Sequence, residues 1–201
     1  MKLFKVFIKA FIFILGVLIS LWVLMPWGKI GEYAVLSAER TASSRGFDAR
    51  HTSVSGSWRG PTIKINDFTA KMVFGGGEFR TLSISPSFIQ SIIQFSPVAI
   101  VSFTGGRLLL PGGNSADLGS GKVEVSVSRG TLLLKNLKSV GELSIDGHVA
   151  IDINGQKIDN ADLVMKSPER IESTLSAMSL LLPLTQESAG QWRLRREKNN
   201  E

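Results

Sequence analysis

Residues 148 to 165 read HVAIDINGQKIDNADLVM, and this stretch indicates the kind of fold that the chain adopts. Apolar and polar residues mostly alternate on both sides of Asn154-Gly155, which is the period of a half-buried β-strand. A two-residue type I′ turn needs a positive φ at both central positions, and Asn-Gly tolerates it well. The sequence therefore predicts a β-hairpin in which residues 148 to 153 pair with residues 156 to 165.

The same alternation extends over most of the body of the chain. Glycine sequences such as Gly105-Gly106 and Gly119-Ser120-Gly121 are read as turns between successive strands. A loose repeat, as in Gly130-x-Leu132-x-Leu134, is typical of a simple meander or of a serially built antiparallel sheet. These patterns predict a mainly β fold, a curved antiparallel sheet. Its strands are predicted at Ile63/Ile65, Phe68/Ala70/Met72, Leu82/Ile84, Val98/Ile100 or Val101/Phe103, Val123/Val125/Val127, Leu143/Ile145, Val149/Ile151/Ile153, Leu163/Met165 and Gln191 to Arg196.

Two short amphipathic helices interrupt the strand pattern. The first covers residues 86 to 95, and the second begins at Ser167-Pro168-Glu169, with Ser167 at the N-cap and Pro168 at N1, and ends at Pro183. We expect the apolar stripe of each helix to lie on the sheet and to cover it. The stripes are Phe88, Ile89, Ile92 and Ile93 in the first helix, and Ile171, Leu175, Met178 and Leu182 in the second.

The amino-terminal segment differs in composition from this body. No charged residue occurs from Ala10 to Gly28, where Phe, Ile, Leu, Val and Trp predominate. At about 1.5 Å per residue this run covers roughly 28 Å, close to the ~30 Å hydrocarbon thickness of a bilayer. The run is longer than the apolar region of a cleavable signal peptide and ends without an Ala-x-Ala site. The sequence therefore favours a single uncleaved transmembrane signal anchor over a signal peptide.

Basic residues ahead of the anchor predict its orientation. Lys2, Lys5 and Lys9 hold the amino terminus in the cytoplasm by the positive-inside rule, so the body is expected outside the cytoplasm. The predicted organisation is a cytoplasmic basic segment (residues 1–9), a transmembrane signal anchor (residues 10–28), a connecting helix (residues 29–46), a β-rich domain (residues 47–196) and a flexible tail (residues 197–201).

The basic charge of the chain is concentrated at its two ends. The formal net charge is +6, yet residues 10 to 192 carry 16 basic and 15 acidic side chains. A basic face for nucleic acid is therefore not supported. Attraction to anionic lipid explains the three amino-terminal lysines without any nucleic acid.

Few residues of the chain are suited to a catalytic or metal site. The absence of cysteine excludes thiol nucleophiles, disulfides and cysteine-ligated metals, and two histidines cannot supply a site of three histidine ligands. The sequence Gly119-Ser120-Gly121-Lys122-Val123 lacks both the first glycine and the final hydroxyl of a phosphate-binding loop, so we read it as a hairpin loop.

Three further groups of residues are candidates for a catalytic, ligand-binding or calcium site. Asp146 and His148 share a strand face, but pairing on the solvent side is favoured over half of a Ser-His-Asp arrangement. Trp58-Arg59 fits a plug at the end of the sheet better than a pair that stacks on a ligand. The aspartates at 146, 152, 159 and 162 lack the glycine and glutamate of an EF-hand. We therefore predict no catalytic, cofactor-binding or metal-binding residues and a non-enzymatic function.

The order of these parts resembles a known family. A basic anchor and a short helix are followed by VSGSWRGP at residues 54–61, by LSISPS at residues 82–87 ahead of an apolar helix, and by GELSIDG at residues 141–147. In this order the chain is similar to the type II secretion system protein N family (GspN) and, more distantly, to AsmA-type envelope proteins. The resemblance runs from the anchor to about Trp192 and implies no catalytic residues.

The resemblance implies a single-pass protein of the bacterial inner membrane whose β-rich periplasmic domain is a non-enzymatic accessory component of type II secretion. Its partners are then the lipid bilayer and other envelope secretion proteins, reached through sheet edges or helix faces. The alternative is a lipid-handling protein of the AsmA or lipopolysaccharide-transport kind. A continuous uncovered row of Ile, Val, Leu and Phe on the sheet favours lipid as a ligand, and a sheet closed by its helices favours protein interaction.

Overall fold

The computed structural model describes residues 12–197 except residues 18–19, 21–23, 45, 58–60, 73–74, 154, 156 and 181. The described strands form one eleven-stranded antiparallel sheet. They are β1 (Asp48–Arg50), β2 (Ser53–Gly56), β3 (Ile63–Met72), β4 (Gly75–Pro86), β5 (Val98–Leu109), β6 (Ser115–Ser128), β7 (Thr131–Val140), β8 (Ser144–Asp152), β9 (Lys157–Lys166), β10 (Leu184–Ser188) and β11 (Gln191–Arg196). The helices are α1 (Trp27–Ser44), α2 (Phe88–Gln94) and α3 (Glu172–Met178), with 3-10 turns at Pro111–Gly113 and Glu169–Ile171.

The strand order is almost that of the sequence. From β3 to β9 each strand pairs with the next one along the chain. At one side of the sheet β3 pairs with both β1 and β2, and at the other side β11 lies between β9 and β10. The strands at the two sides, β1 and β10, are not neighbours, so the sheet is curved but unclosed. The prediction of a mainly β, curved antiparallel sheet is confirmed.

The hairpin predicted around Asn154-Gly155 is present, because β8 pairs antiparallel with β9. Its predicted turn includes Asn154, which lies outside the described residues together with Gln156. The left-handed geometry of a type I′ turn occurs in the hairpin of β6 and β7, where the connecting residues Arg129 and Gly130 have φ of 48° and 81°.

Two glycine sequences that were predicted to be turns lie inside long strands. Gly105-Gly106 is part of β5 and Gly119-Ser120-Gly121 is part of β6, each at a shift of the pairing register. Gly105 and Gly119 have φ of 60° and 62°, as the first residue of a G1 bulge does. The prediction that strands end here was wrong, because a bulge and a turn call for glycine for the same conformational reason. The bulges add local twist, which helps to curve the sheet.

Glycines near these bulges also make room for an aromatic ring of the core. Phe103 on β5 packs against Phe79 on β4 in an edge-to-face contact, with 5.2 Å between the ring centroids. A Cβ atom on Gly121 would lie 2.3 Å from Cζ of Phe103, and one on Gly106 would lie 2.9 Å from its Cδ2. Glycine therefore allows β5 and β6 to enclose the ring.

The core lies where α3 and the 3-10 turn before it cover the carboxyl-terminal strands. Ile171 is completely buried and Leu175 retains 3% of its exposure. Met178 and Leu182 pack partly buried on the same cluster, so the predicted stripe is confirmed. The α-helix is shorter than predicted, because residues 169–171 form a 3-10 turn and the helix ends at Met178. The strand residues of this core include Phe103, Ala116, Leu118, Leu143, Ala161, Met165, Trp192 and Leu194.

Helix α1 packs along one edge of the sheet. Its residue Gly28 lies so close to β2 that a Cβ atom there would be 3.2 Å from the backbone nitrogen of Gly56. Farther along the helix, Glu39 Oε1 lies 2.6 Å from His51 Nδ1. The helix was predicted over residues 29–46, and Gly46 has the left-handed φ of 83° expected just beyond its end. α1 therefore covers the edge formed by β1 and β2.

Different helices and turns lie at the two ends of the strands. At the first, which we call the α1 end, β2 ends, β3 begins and α1 starts. Helix α2 lies at this same end, because it joins the end of β4 to the start of β5. The opposite end, which we call the far end, carries the turn Pro111–Gly113 and the connection between β7 and β8.

Among the described residues, no helix has the length and apolar composition needed to cross a membrane. The anchor was predicted at residues 10–28, of which residues 10–11, 18–19 and 21–23 lie outside the described residues. The basic segment, residues 1–9, and residues 198–201 of the predicted tail also lie outside them.

Substitution of Leu175 by aspartate tests the packing of α3. We expect Leu175→Asp to lower the free energy of unfolding by about 3 kcal/mol or more, because a large side chain is lost and a charge is buried without a partner. Ser173→Asp, on the exposed side of the same helix, is the control and should be close to neutral. Equal melting temperatures of the two variants would contradict the packing of α3 on the sheet.

Substitution of Gly121 by alanine tests the space around Phe103. The added methyl group would lie 2.3 Å from the ring and 2.4 Å from the backbone oxygen of Lys138. We expect a loss of about 1–3 kcal/mol in the free energy of unfolding, measured by urea denaturation. Ser120→Ala, at the exposed neighbouring position, should change stability by less than about 0.5 kcal/mol. A stable Gly121→Ala variant would show that the ring is not tightly enclosed.

Candidate interaction surfaces

The residues that the sequence singles out for chemistry are spread over the sheet. Asp146 Oδ2 lies 3.5 Å from Lys138 Nζ of the neighbouring strand, and both side chains are exposed. His148 lies opposite Asp162 in the pairing of β8 with β9. In the part of the chain that the structure describes, no three His, Cys, Asp or Glu side chains come together as metal ligands.

Two other candidate sequences do not lie where the structure could confirm the prediction made for them. The sequence Gly119-Ser120-Gly121-Lys122 belongs to β6, so it is a bulged strand and not the hairpin loop that was predicted. The pair Trp58-Arg59, predicted to plug the end of the sheet, lies outside the described residues.

Charged side chains join elements of the body. Arg193 of β11 donates hydrogen bonds to both carboxylate oxygens of Asp162 on β9, each at 2.8 Å, and one to Glu187 of β10 at 3.3 Å. Arg170 Nε, just before α3, donates to Glu142 between β7 and β8 at 2.8 Å. The hydrogen bonds from these arginines lower the pKa of both Asp162 and Glu142. Sequence reasoning missed both pairs, because their partners lie far apart in the chain.

Helix α2 has the reverse orientation to the one predicted. Its polar side faces the sheet, where Gln94 Nε2 and Gln90 Nε2 donate to the two carboxylate oxygens of Glu124 on β6, at 3.0 and 3.4 Å. The prediction that this helix covers the sheet was therefore wrong. Its apolar side chains are exposed: Phe88 by 50%, Ile89 by 75%, Ile92 by 72%, Ile93 by 70% and the adjacent Phe95 by 94%.

Local contacts hold α2 in this orientation. Ser91 Oγ donates to the backbone oxygen of Ser87, the N-cap of α2, at 2.7 Å and accepts from the backbone N–H of Val98 at 2.9 Å, so the polar side is tied to the start of β5. Phe95 ends the helix with φ of 47°. A left-handed aromatic residue costs of order 1 kcal/mol or more, so the structure holds a strained residue that is also almost completely exposed.

A second apolar surface lies beside α3 at the far end of the sheet. It is a groove of about 660 Å³ between the turn at Pro111 and the residues Ala177, Met178 and Leu182. The hydrogen bond from Asn114 Nδ2 to Thr174 Oγ1, 2.9 Å long, joins the two walls of this groove. Leu180, which lies between two of the lining residues in the sequence, is 86% exposed. The groove and this leucine form a surface suited to apolar side chains of a partner.

The edges of the sheet are poorly suited to accept a strand from another chain. One edge is covered by α1. The other is β10, which has 5 residues, a register shift between Gln186 and Ser188, and the ion pair from Glu187 to Arg193. Short, bulged and charged edges resist pairing with further strands. Of the two contact routes that the sequence left open, the structure favours helix faces over sheet edges.

The sheet itself presents little apolar surface to solvent. Phe79, Leu82 and Leu108 are partly buried against the core. Of the large apolar strand side chains whose exposure the structure describes, Val127 and Val140 are exposed, and others such as Ile84, Val101 and Leu133 are half-buried. The described strands therefore carry a half-buried apolar surface and no continuous row of exposed Ile, Val, Leu and Phe side chains, which is what favours lipid as a ligand.

Comparison with known proteins identifies the family. The family model described as "Type II secretion system protein GspN-like, Synergistales" matches residues 4–196. No curated protein and no solved structure matches the chain. The distant resemblance to AsmA-type proteins is not supported by these comparisons. Because the match extends over nearly the whole sequence, the chain belongs to the GspN-like family of type II secretion system proteins.

Proposed function

We propose that the protein is a non-enzymatic accessory component of type II secretion, anchored in the inner membrane by residues 10–28 with its body in the periplasm. The observation that carries this proposal is the family match over residues 4–196. The described charged side chains support it, because Arg170 and Arg193 form ion pairs with Glu142, Asp162 and Glu187 that join strands and helices of the body. Such a body is suited to binding.

We further propose that the groove beside α3 receives apolar side chains of another secretion protein. The groove is apolar and open, whereas both edges of the sheet are protected. It lies at the far end, while α1, which follows the predicted anchor, begins at the opposite end. A partner in the periplasm therefore has free access to it. The alternative function, lipid carriage along the sheet, has no support in the exposure of the described strands.

Membrane topology is the first test of this proposal. A reporter fused after Glu201 should be active only in the periplasm, and neutral substitutions of Lys2, Lys5 and Lys9 should weaken that orientation, because these lysines supply the cytoplasmic positive charge. Neutral substitution of three exposed lysines of the body is the matched control and should leave the orientation unchanged; suitable residues are Lys64, Lys122 and Lys166. Reporter activity in the cytoplasm would contradict the proposed location.

Secretion itself tests the partner groove. In a strain without this protein, secretion of a type II substrate should fall and should be restored by the wild-type chain. We expect Ala177→Glu to restore it at least about tenfold less well, because a charge in the groove is left without a partner when an apolar side chain docks. Ser176→Glu is the control, since Ser176 is also exposed on α3 but does not line the groove.

Both variants should accumulate and melt like the wild type, because both positions are exposed. Full secretion with Ala177→Glu would show that the groove does not contact another secretion protein. Normal secretion in the strain without the protein would show that the proposed role is wrong.

A further inference from the structure

We infer that α2 is a membrane-docking helix, whose exposed side chains enter the periplasmic leaflet of the bilayer in which the amino-terminal anchor lies. The side chains concerned are Ile89, Ile92, Ile93 and Phe95. This inference rests on the membrane anchor of the proposed function and adds a second, peripheral contact with the same bilayer. In this arrangement the boundary between lipid headgroups and acyl chains covers the exposed apolar side of α2.

The first argument is the orientation of α2. An amphipathic helix on a soluble body normally turns its apolar side inward, because burial of that side drives its packing. Here Gln90 and Gln94 hold the polar side on Glu124, and Ser91 fastens the helix to the next strand. The apolar side is thus directed outward by specific hydrogen bonds. A cluster of large apolar side chains that is presented in this way marks an interaction surface.

The second argument is the position of α2 relative to the predicted anchor. Helix α1 begins at Trp27, and Gly28 in its first turn lies beside Gly56 of β2. Gly56 pairs with Ile63 of β3, and Ile63 pairs with Ile84 of β4, two residues before the end of that strand. Neighbouring strands lie about 4.8 Å apart, so these steps place Ile84 roughly 10–15 Å from Gly28. Helix α2 begins only four residues after Ile84, at Phe88. A bilayer that holds the anchor is therefore within reach of α2.

The third argument is chemical. Residues 87–97 read SFIQSIIQFSP and contain no charged side chain. Phenylalanine and isoleucine can enter the boundary between headgroups and acyl chains, and a short helix that does so lies in the plane of the interface. Tyr33, which is 79% exposed on α1, is of a residue type enriched at membrane interfaces. The attraction is apolar, so it should not depend on salt.

Docking at a second point would fix the direction of the sheet. An anchor alone lets the body pivot, whereas an anchor and α2 together hold the α1 end against the bilayer. Strand β5 has 12 residues, and at about 3.3 Å per residue it places the far end roughly 40 Å away from α2. The groove beside α3 is then presented to the periplasm at a set distance from the membrane.

The absence of cysteine from the chain allows a direct test. The full-length protein carries a single Ile92→Cys substitution, labelled with an environment-sensitive fluorophore, and is reconstituted into vesicles of phosphatidylethanolamine and phosphatidylglycerol. The control is Val140→Cys, because Val140 is 78% exposed at the far end and Ile92 is 72% exposed on α2. Iodide on both sides of the membrane reports access to water, and brominated lipid reports contact with acyl chains.

We expect iodide to quench the Ile92 label about fivefold less than the Val140 label, because a side chain in the interface is shielded from the aqueous anion. Brominated lipid should quench only the Ile92 label, at low and high salt alike. Equal quenching of both labels by iodide would overturn the inference. Shielding from iodide without quenching by brominated lipid would also overturn it, since a protein would then cover α2.

Flotation of the same vesicles separates this inference from the proposed function. Protein that floats with the vesicles while its Ile92 label stays exposed to iodide would overturn the docking of α2 and leave the anchor intact. Protein that does not float would overturn both the anchor and the docking. The two labelled variants should melt at the same temperature as the unlabelled protein, because both positions are exposed. Such a match excludes misfolding as the cause of a difference in quenching.

Discussion

An eleven-stranded sheet has an inner face rich in apolar side chains, and few helices are available here to keep that face from water. Of the described helices, only α3 and the turn before it contribute to the core, so curvature of the sheet helps to shield the rest. The bulges at Gly105-Gly106 and Gly119-Ser120-Gly121 contribute that curvature, and Gly121 admits the ring of Phe103 between neighbouring strands. On this bent sheet α3 packs over the core, and the groove lies beside that helix.

The strands were predictable to the extent that they show a local signal. The strand from Gln191 to Arg196 was predicted with the bounds that it has, because Trp192 and Leu194 are buried between exposed or partly exposed neighbours. β10 was missed, since Leu184 is its only buried residue and no alternation follows. The two bulges were mistaken for turns because a glycine with positive φ serves both, and only the partner strand distinguishes them.

The interaction surfaces were predictable in composition and not in orientation. The apolar stripes of both helices were identified from their spacing, yet one is buried and the other is exposed. Periodicity places residues on one face of a helix and contains no information on which way that face turns. The orientation of α2 depends on its hydrogen bonds to Glu124, which lies 30 residues beyond Gln94 in the chain. The match of the family model to residues 4–196 supplied the pathway, which no spacing of residues could have indicated.

Serial pairing of the strands has a consequence for the synthesis of this protein. From β3 to β9 each strand joins the one made just before it, so the loops to be closed are short and the contacts are local in sequence. A chain that leaves the ribosome in this order can thus add strands one at a time and leave few edges unpaired. Ile171, Leu175 and Trp192 come late in the chain, so the core closes only after nearly all of it has emerged.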